Sequence, residues 1–189
     1  MPAQLLDGKI LAGNLKKSLS AEILSLKELT GTSPQLINLS IGQNHSSCAY
    51  ANSQRKVAEE IGVGYELVVL PTDITQESLI QHIHKLNRDD SVNGIMIHKP
   101  VPAHIHYRSV ANHIDITKDL EGINVANIGK MLIGETQIVP CTPAAVMEHI
   151  KSTGINLRGK EVVIVGHSEI VGKPLSLLLL QQYATVTVC

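Results

Sequence analysis

A chain of 189 residues holds one large domain or two small ones, and 43% apolar with 17% charged residues suits buried cores and argues against disorder. With 16 Lys and Arg against 17 Asp and Glu, the net charge of −1 leaves no basic surplus for a nucleic-acid surface. Phe and Trp are absent, so the cores must be aliphatic and a flat ligand has only 4 Tyr to stack on. The first residues, MPAQLLDGKILAGNLKK, lack a charged head followed by an apolar stretch, so no secretory signal is expected. The apolar runs fall far short of the roughly 20 residues of a spanning helix, so no membrane partner is expected. Cys48, Cys141 and Cys189 are widely spaced, which suits a reducing compartment. A cytoplasmic protein is the expectation, with an organellar form left open.

In chain order, residues 8–29 place Ile10, Leu11, Leu15, Leu19, Ile23 and Leu26 at helical spacing. QLINLSI (35–41) reads as a strand, Tyr50 to Ile61 as a helix stopped by Gly62 and Gly64, and YELVVLP (65–71) as a second strand. Thr75 opens the next helix with Ser78 at the acidic position of a capping box, so half of that motif is present. VNGIMI (92–97) is a third strand, and the polar stretch HKPVPAHIHYRS after it is expected to line a cleft. Thr142 and Pro143 read as the N-cap and first turn of a connecting helix over 142–154.

A strand, a glycine turn, a helix and a second strand starting near Ala184 complete the chain. Alternation of helix and strand implies α/β architecture: an N-terminal parallel-sheet α/β domain over 1–140, then an incomplete Rossmann-like dinucleotide-binding domain over 141–189. Such a dinucleotide-binding half needs about three strands, so a fragment or truncated product is expected, with Val162–Val165 and Leu177–Leu180 left uncovered.

Gly166-His167-Ser168-Glu169-Ile170-Val171-Gly172 joins the apolar strand to the apolar helix. Glycines let a backbone approach a phosphate there, and the helix N-terminus offers amides and a positive dipole end. The spacing is G-x-S-x-x-x-G, so by itself the segment is also compatible with a ligand-free turn. The histidines suggest no metal site, since no pair has H-x-x-x-H spacing and His82 and His84 fall on different helix faces. Cys141 reads as a small buried hydrophobe, and Ser46 and Ser47 as caps of the Tyr50 helix.

Taken together, Asp7-Gly8-Lys9, Gly42 with Ser47 and Tyr50, Pro100-Val101-Pro102, Lys118-Asp119-Leu120-Glu121-Gly122, Asn127-Ile128-Gly129, Pro140-Cys141-Thr142-Pro143 and Gly166-x-Ser168-x-Ile170-Val171-Gly172-Lys173-Pro174 occur in order. The stretch from Leu79-Ile80 through Asn87-x-Asp89 to Ile95-Met96-Ile97 joins the same set. Throughout, the chain resembles the bifunctional methylenetetrahydrofolate dehydrogenase/cyclohydrolase family. That resemblance implies oxidation of 5,10-methylenetetrahydrofolate with NADP or NAD, hydrolysis of the methenyl product to 10-formyltetrahydrofolate, and a homodimer. Tyr50 matches the tyrosine that stacks on the folate ring, and Ser47, Pro100 and Glu121 fall at substrate-binding positions. Gly166, His167, Ser168, Ile170 and Gly172 fall at cofactor-binding ones.

Three departures bear on the chemistry. Gln54 stands where the family has the lysine that handles protons in hydrolysis, His98 where it has a glutamine, and Glu121 where it has the aspartate that holds the pterin. Lys56 does not replace the lysine, being on another helix face. Two readings stay open. In one, the cyclohydrolase has decayed. In the other, His98, with an ordinary pKa near 6.5, or Lys99 beside it, has taken over proton transfer, although strand alternation points Lys99 the other way. His167 replaces an arginine expected near the adenosine 2′-phosphate, which favours NAD over NADP. The rivals are a non-catalytic folate- or dinucleotide-binding paralogue with a regulatory or assembly role, and a dehydrogenase of another family.

Overall fold

The computed structural model describes residues 5–42, 45–135 and 138–189, with the side chains of 45–48 outside that description. The chain divides into two compact units, one of Gly13–Leu120 and the other of the residues before it together with Glu121–Cys189. Residues 121–140, read from the sequence as the end of the first domain, thus belong with the second unit.

In the Gly13–Leu120 unit, β1 (Gln35–Ile41), β2 (Gly64–Leu70) and β3 (Gly94–Ile97) form a parallel sheet of order β2-β1-β3. The central strand β1 is buried from Ile37 onward. Side chains alternate across a strand, so Ile37, Leu39 and Ile41 share one face, and they pack with Leu79 and Ile83 of α3 (Gln76–Asn87) and with Ile95 and Ile97. The other face carries Asn38 and Ser40 and lies toward α2 (His45–Ile61). The β1-α2-β2 and β2-α3-β3 crossovers run in opposite directions along the sheet, so right-handed connections place their helices on opposite faces.

Motif residues turn out to be scaffold here. Lys118 Nζ donates to the carbonyls of Leu86, Asn87 and Asp89 at 3.1, 2.9 and 2.7 Å, neutralising the negative end of α3. Asn87 ties the same helix end to the facing loop through the His113 carbonyl (2.7 Å) and the Asp115 amide (3.0 Å). Asp89 and Asp115 each close a turn, and the hydroxyls of Ser91 and Thr117 hold their carboxyls below the usual range. Thr75 caps α3 as expected, its hydroxyl accepting from the Ser78 amide at 3.1 Å.

The other unit contains α5 (Val125–Leu132), α6 (Cys141–Ser152) and a parallel pair, β4 (Glu161–Ile164) with β5 (Thr185–Val188), joined through α7 (Gly172–Gln181). Met147, Ile164, Leu175, Leu179 and Ala184 form its core. Val163, Val165 and Leu180 are exposed as expected, whereas Ile164 and Leu179 are buried.

Several readings need correction. The Tyr50 helix begins earlier, at His45. α1 (Gly8–Thr30) forms where the periodicity places it, yet none of its residues is buried. Two short helices, α4 (Tyr107–Ala111) and α5, were not anticipated, being too short for a periodic signal. The N-cap of α6 is Pro140, not Thr142, because the first helical bond runs from the Ala144 amide to the Pro140 carbonyl. Cys141 therefore sits at the helix start and is exposed rather than buried. Among the described residues, no helix is long and apolar enough to cross a membrane. Lys118→Met should lower the unfolding free energy by roughly 2–3 kcal/mol, the cost of leaving a helix end without charged hydrogen bonds. Urea titration of the two proteins measures this, and equal midpoints would refute the capping role.

Candidate active site

Tyr50 and Gln54 are four residues apart on α2 and share a face. The helix lies over the sheet face that carries Asn38, and at the carboxyl end of β3 the next residue, His98, turns to the same side. Gln54 Oε1 is 3.0 Å from His98 Nε2. Tyr50 is 60% exposed, with its ring centroid 5.6 Å from that of His98 at 41°. The phenol ring is thus open beside a buried imidazole and is not a core tyrosine.

Two further side chains complete the cluster, and neither was anticipated. Asn38, 0% exposed, places Nδ2 at 2.6 Å from His98 Nε2, 2.9 Å from Gln54 Oε1 and 3.1 Å from the Tyr65 hydroxyl. Tyr65, from β2, donates to Gln54 Oε1 at 3.2 Å. The sequence did hold a sign of this: in QLINLSI the polar residues Asn38 and Ser40 are two apart, on one face of an otherwise apolar strand. Burial pushes the His98 pKa below its ordinary value, and it raises that of Tyr65. The cluster is therefore uncharged near neutrality.

Lys99 does not enter it. Its ammonium lies 3.8 Å from the Tyr107 ring centroid, as strand alternation suggested. Lys56 is exposed. Pro100 is exposed after a cis Lys99–Pro100 bond. The Ser47 and Ser46 side chains lie outside the described residues, and Glu121 belongs to the other unit. Gln54 also contributes to the wall of an apolar cleft of about 310 Å³ with Leu36, Val57, Ala58, Ile61 and Val63.

In the other unit, the turn from β4 to α7 has the construction a dinucleotide requires. A Cβ on Gly172 would overlap the Gly166 carbonyl oxygen, so the turn closes only with glycine there. Gly166 has φ +117° and open space where a Cβ would stand, leaving room for a ligand beside the backbone. Ser168 Oγ accepts from the Val171 and Gly172 amides at 3.2 and 3.4 Å and so fixes the start of α7. His167 and Ile170 are exposed. The residues fit a pyrophosphate at a helix N-terminus.

Among the described residues, no three His, Cys, Asp or Glu side chains gather as metal ligands. His84 and His113 form a pair, Nε2 to Nδ1 at 3.2 Å, that the sequence reading did not foresee.

A parallel α/β unit with a polar cluster on one sheet face, next in sequence to a strand–glycine turn–helix unit of the kind that binds dinucleotides, defines a two-unit α/β class of protein. Residues 6–121 match the family described as tetrahydrofolate dehydrogenase/cyclohydrolase, catalytic domain, and residues 140–189 match its NAD(P)-binding domain. The chain belongs to this tetrahydrofolate dehydrogenase/cyclohydrolase family. It is 45% identical over all its 189 residues to the bifunctional protein FolD of Acetivibrio thermocellus, of which it spans 66%. Its fold matches the crystal structure of the bifunctional FolD enzyme from Campylobacter jejuni with a TM-score of 0.95 at 39% identity, covering 98% of this chain and 66% of that one. The Trypanosoma brucei enzyme complexed with NADP cofactor and an inhibitor matches at 0.91 and 34%, covering all of this chain and 65% of that one.

The lowered pKa of His98 has a definite sign. The unfolded chain takes up a proton near pH 6.5 that the folded one resists, so stability falls as pH drops from about 6.5 toward the folded-state value. His98→Gln should lose less stability on acidification from pH 7.5 to 5.5 than the unmutated protein, as read from urea midpoints. An equal loss in both would show that His98 titrates as it does in water.

Proposed function

We propose that the protein is a nicotinamide-dependent dehydrogenase of 5,10-methylenetetrahydrofolate in one-carbon metabolism, with its methenyl-hydrolysing step strongly weakened. One observation carries this reading. At the two positions where the resemblance expects a lysine and a glutamine, Gln54 and His98 are both tied to Asn38 in an uncharged cluster. General acid–base catalysis needs a group that exchanges protons near the working pH. Gln54 has none to exchange, and burial holds His98 neutral.

Hydride transfer makes a different demand. When bound, the nicotinamide accepts the hydride, and the protein's task is to hold two partners in register. Tyr50 supplies the open ring on which a pterin or aminobenzoyl group stacks, and the resemblance alone puts Ser47, Pro100 and Glu121 at substrate-binding positions. The turn from Gly166 to Gly172, with Ser168 fixing its shape, receives the pyrophosphate. His167, an exposed imidazole in place of a guanidinium fork, makes NAD a better partner than NADP. A cytoplasmic homodimer accompanies this reading.

Two assays on the purified protein decide the matter: NAD(P)-dependent oxidation of methylenetetrahydrofolate, and methenyl hydrolysis followed separately. Oxidation should be measurable and hydrolysis slow. Gln54→Lys should raise hydrolysis by roughly 10²–10⁴-fold, the range of a recovered general acid/base, with a smaller change in oxidation. Folate binding with neither activity would replace this reading by a non-catalytic, regulatory or assembly role. Brisk hydrolysis lost in His98→Gln would instead assign proton transfer to His98.

A further inference from the structure

We propose that Asn38 is a positioning residue of this site: its side-chain amide donates to Nε2 of His98 and so holds the imidazole proton on Nδ1. The proposal builds on the reading of the cluster as the folate site, but it concerns a property of the protein that needs no substrate to be measured.

The argument begins with cost. Asn38 lies in the middle of the central strand with 0% exposure, flanked by Ile37 and Leu39. An amide buried there without partners costs about 1–3 kcal/mol, so its neighbours must be polar and close. They are His98, Gln54 and Tyr65, drawn from three different elements.

Three of these groups are in mutual contact. Asn38 Nδ2 is 2.6 Å from His98 Nε2 and 2.9 Å from Gln54 Oε1, and the last two are 3.0 Å apart. An amide nitrogen only donates, an amide oxygen only accepts, and an imidazole nitrogen does one or the other. Three such groups cannot all be complementary, so one side of the triangle must be a mismatch. With the proton on Nε2, the mismatch would be two N–H groups facing each other across the shortest side, 2.6 Å. With Nε2 bare, it is two lone pairs across 3.0 Å, which is the milder conflict.

Orientation of the two amides, which is inferred from such networks, supports the same choice. Turning Asn38 over would put two N–H donors where Oδ1 now sits, a buried place with no partner among the described residues. Turning Gln54 over would set its oxygen, instead of Nε2, 3.8 Å from the Met96 sulfur, an acceptor facing an acceptor. In the arrangement kept, Tyr65 closes the set. Its hydroxyl lies 3.1 Å from Asn38 Nδ2, whose second hydrogen it shares with Gln54 Oε1, and donates to that oxygen at 3.2 Å.

The titratable and charged neighbours leave this arrangement undisturbed. The Tyr50 ring packs on His98, the Tyr65 phenol is raised further from ionisation, Arg55 lies over the Tyr65 ring at 5.7 Å, and Lys99 is drawn away to Tyr107. Nδ1 of His98 is buried with no partner among the described residues. His98 is therefore a neutral donor through Nδ1–H. It takes up a proton at Nε2 only after Asn38 is displaced.

The test is the imidazole nitrogen NMR signature of the histidine-labelled protein, with His98 assigned by its absence in His98→Gln. The expected signal at pH 8 is the Nδ1–H tautomer. Asn38→Asp keeps the shape and turns the donor into an acceptor, so the proton should move to Nε2 and the His98 pKa should rise. Asn38→Leu should abolish the preference for Nδ1–H. An Nε2–H signal in the unmutated protein would overturn the proposal, as would an unaltered tautomer in Asn38→Asp. If Asn38→Leu does not fold, the other two measurements suffice. A parallel titration with tetrahydrofolate separates the two claims: no binding alongside an Nδ1–H signal would sink the folate reading and leave the role of Asn38 standing.

Discussion

Burial of β1 on both faces is the constraint from which the site-bearing unit follows. A strand covered on both sides has no water to satisfy a polar side chain, so each polar residue on it dictates its surroundings. Ile37, Leu39 and Ile41 meet that condition with an aliphatic layer against α3 and β3. Asn38 meets it differently, by drawing Gln54 down from α2, Tyr65 across from β2 and His98 in from the end of β3. One face of the sheet is thus a hydrocarbon core, and the other is organised around an amide.

The same constraint sets the electrostatics. A lysine in place of Gln54 would bring a charge into a pocket whose other members are an amide, a phenol and a buried imidazole. Desolvation disfavours the charged form of each group, and the cluster as built contains none. Replacing a lysine–glutamine pair by glutamine and histidine is therefore coherent in physical terms. Under the proposed reading, hydrogen-bonding capacity is kept while the lysine's proton exchange is lost.

The sequence motifs divide between chemistry and construction. Lys118, Asn87 and Asp89 belong to blocks that mark the family, yet their side chains close the C-terminal end of α3 and hold the loop that follows α4. Ser168 stands in the cofactor turn and spends its hydroxyl on the first amides of α7. Gly172 is required because the Gly166 carbonyl occupies the space a side chain would need. A motif position can be invariant in kind because the backbone around it has no alternative.

Periodicity and turn chemistry in the sequence were enough for β1, β2 and β3, for α3 with its Thr75 cap, and for the α/β class of both units. These rest on interactions within a few residues or on a single buried face. The ordered motifs identified the family, and the spacing of Tyr50 and Gln54 put both on the helix face that lies beside His98. Tertiary structure alone decided the rest. Neither α1 nor Cys141 is buried, because burial depends on what else reaches the segment. The His84–His113 pair joins residues 29 apart in the chain. Above all, the partners of His98 come from β1 and α2, up to 60 residues away, and the proton position on an imidazole is set by those partners. The identity of a side chain is local, but its protonation and role are fixed by whatever the fold brings within 3 Å.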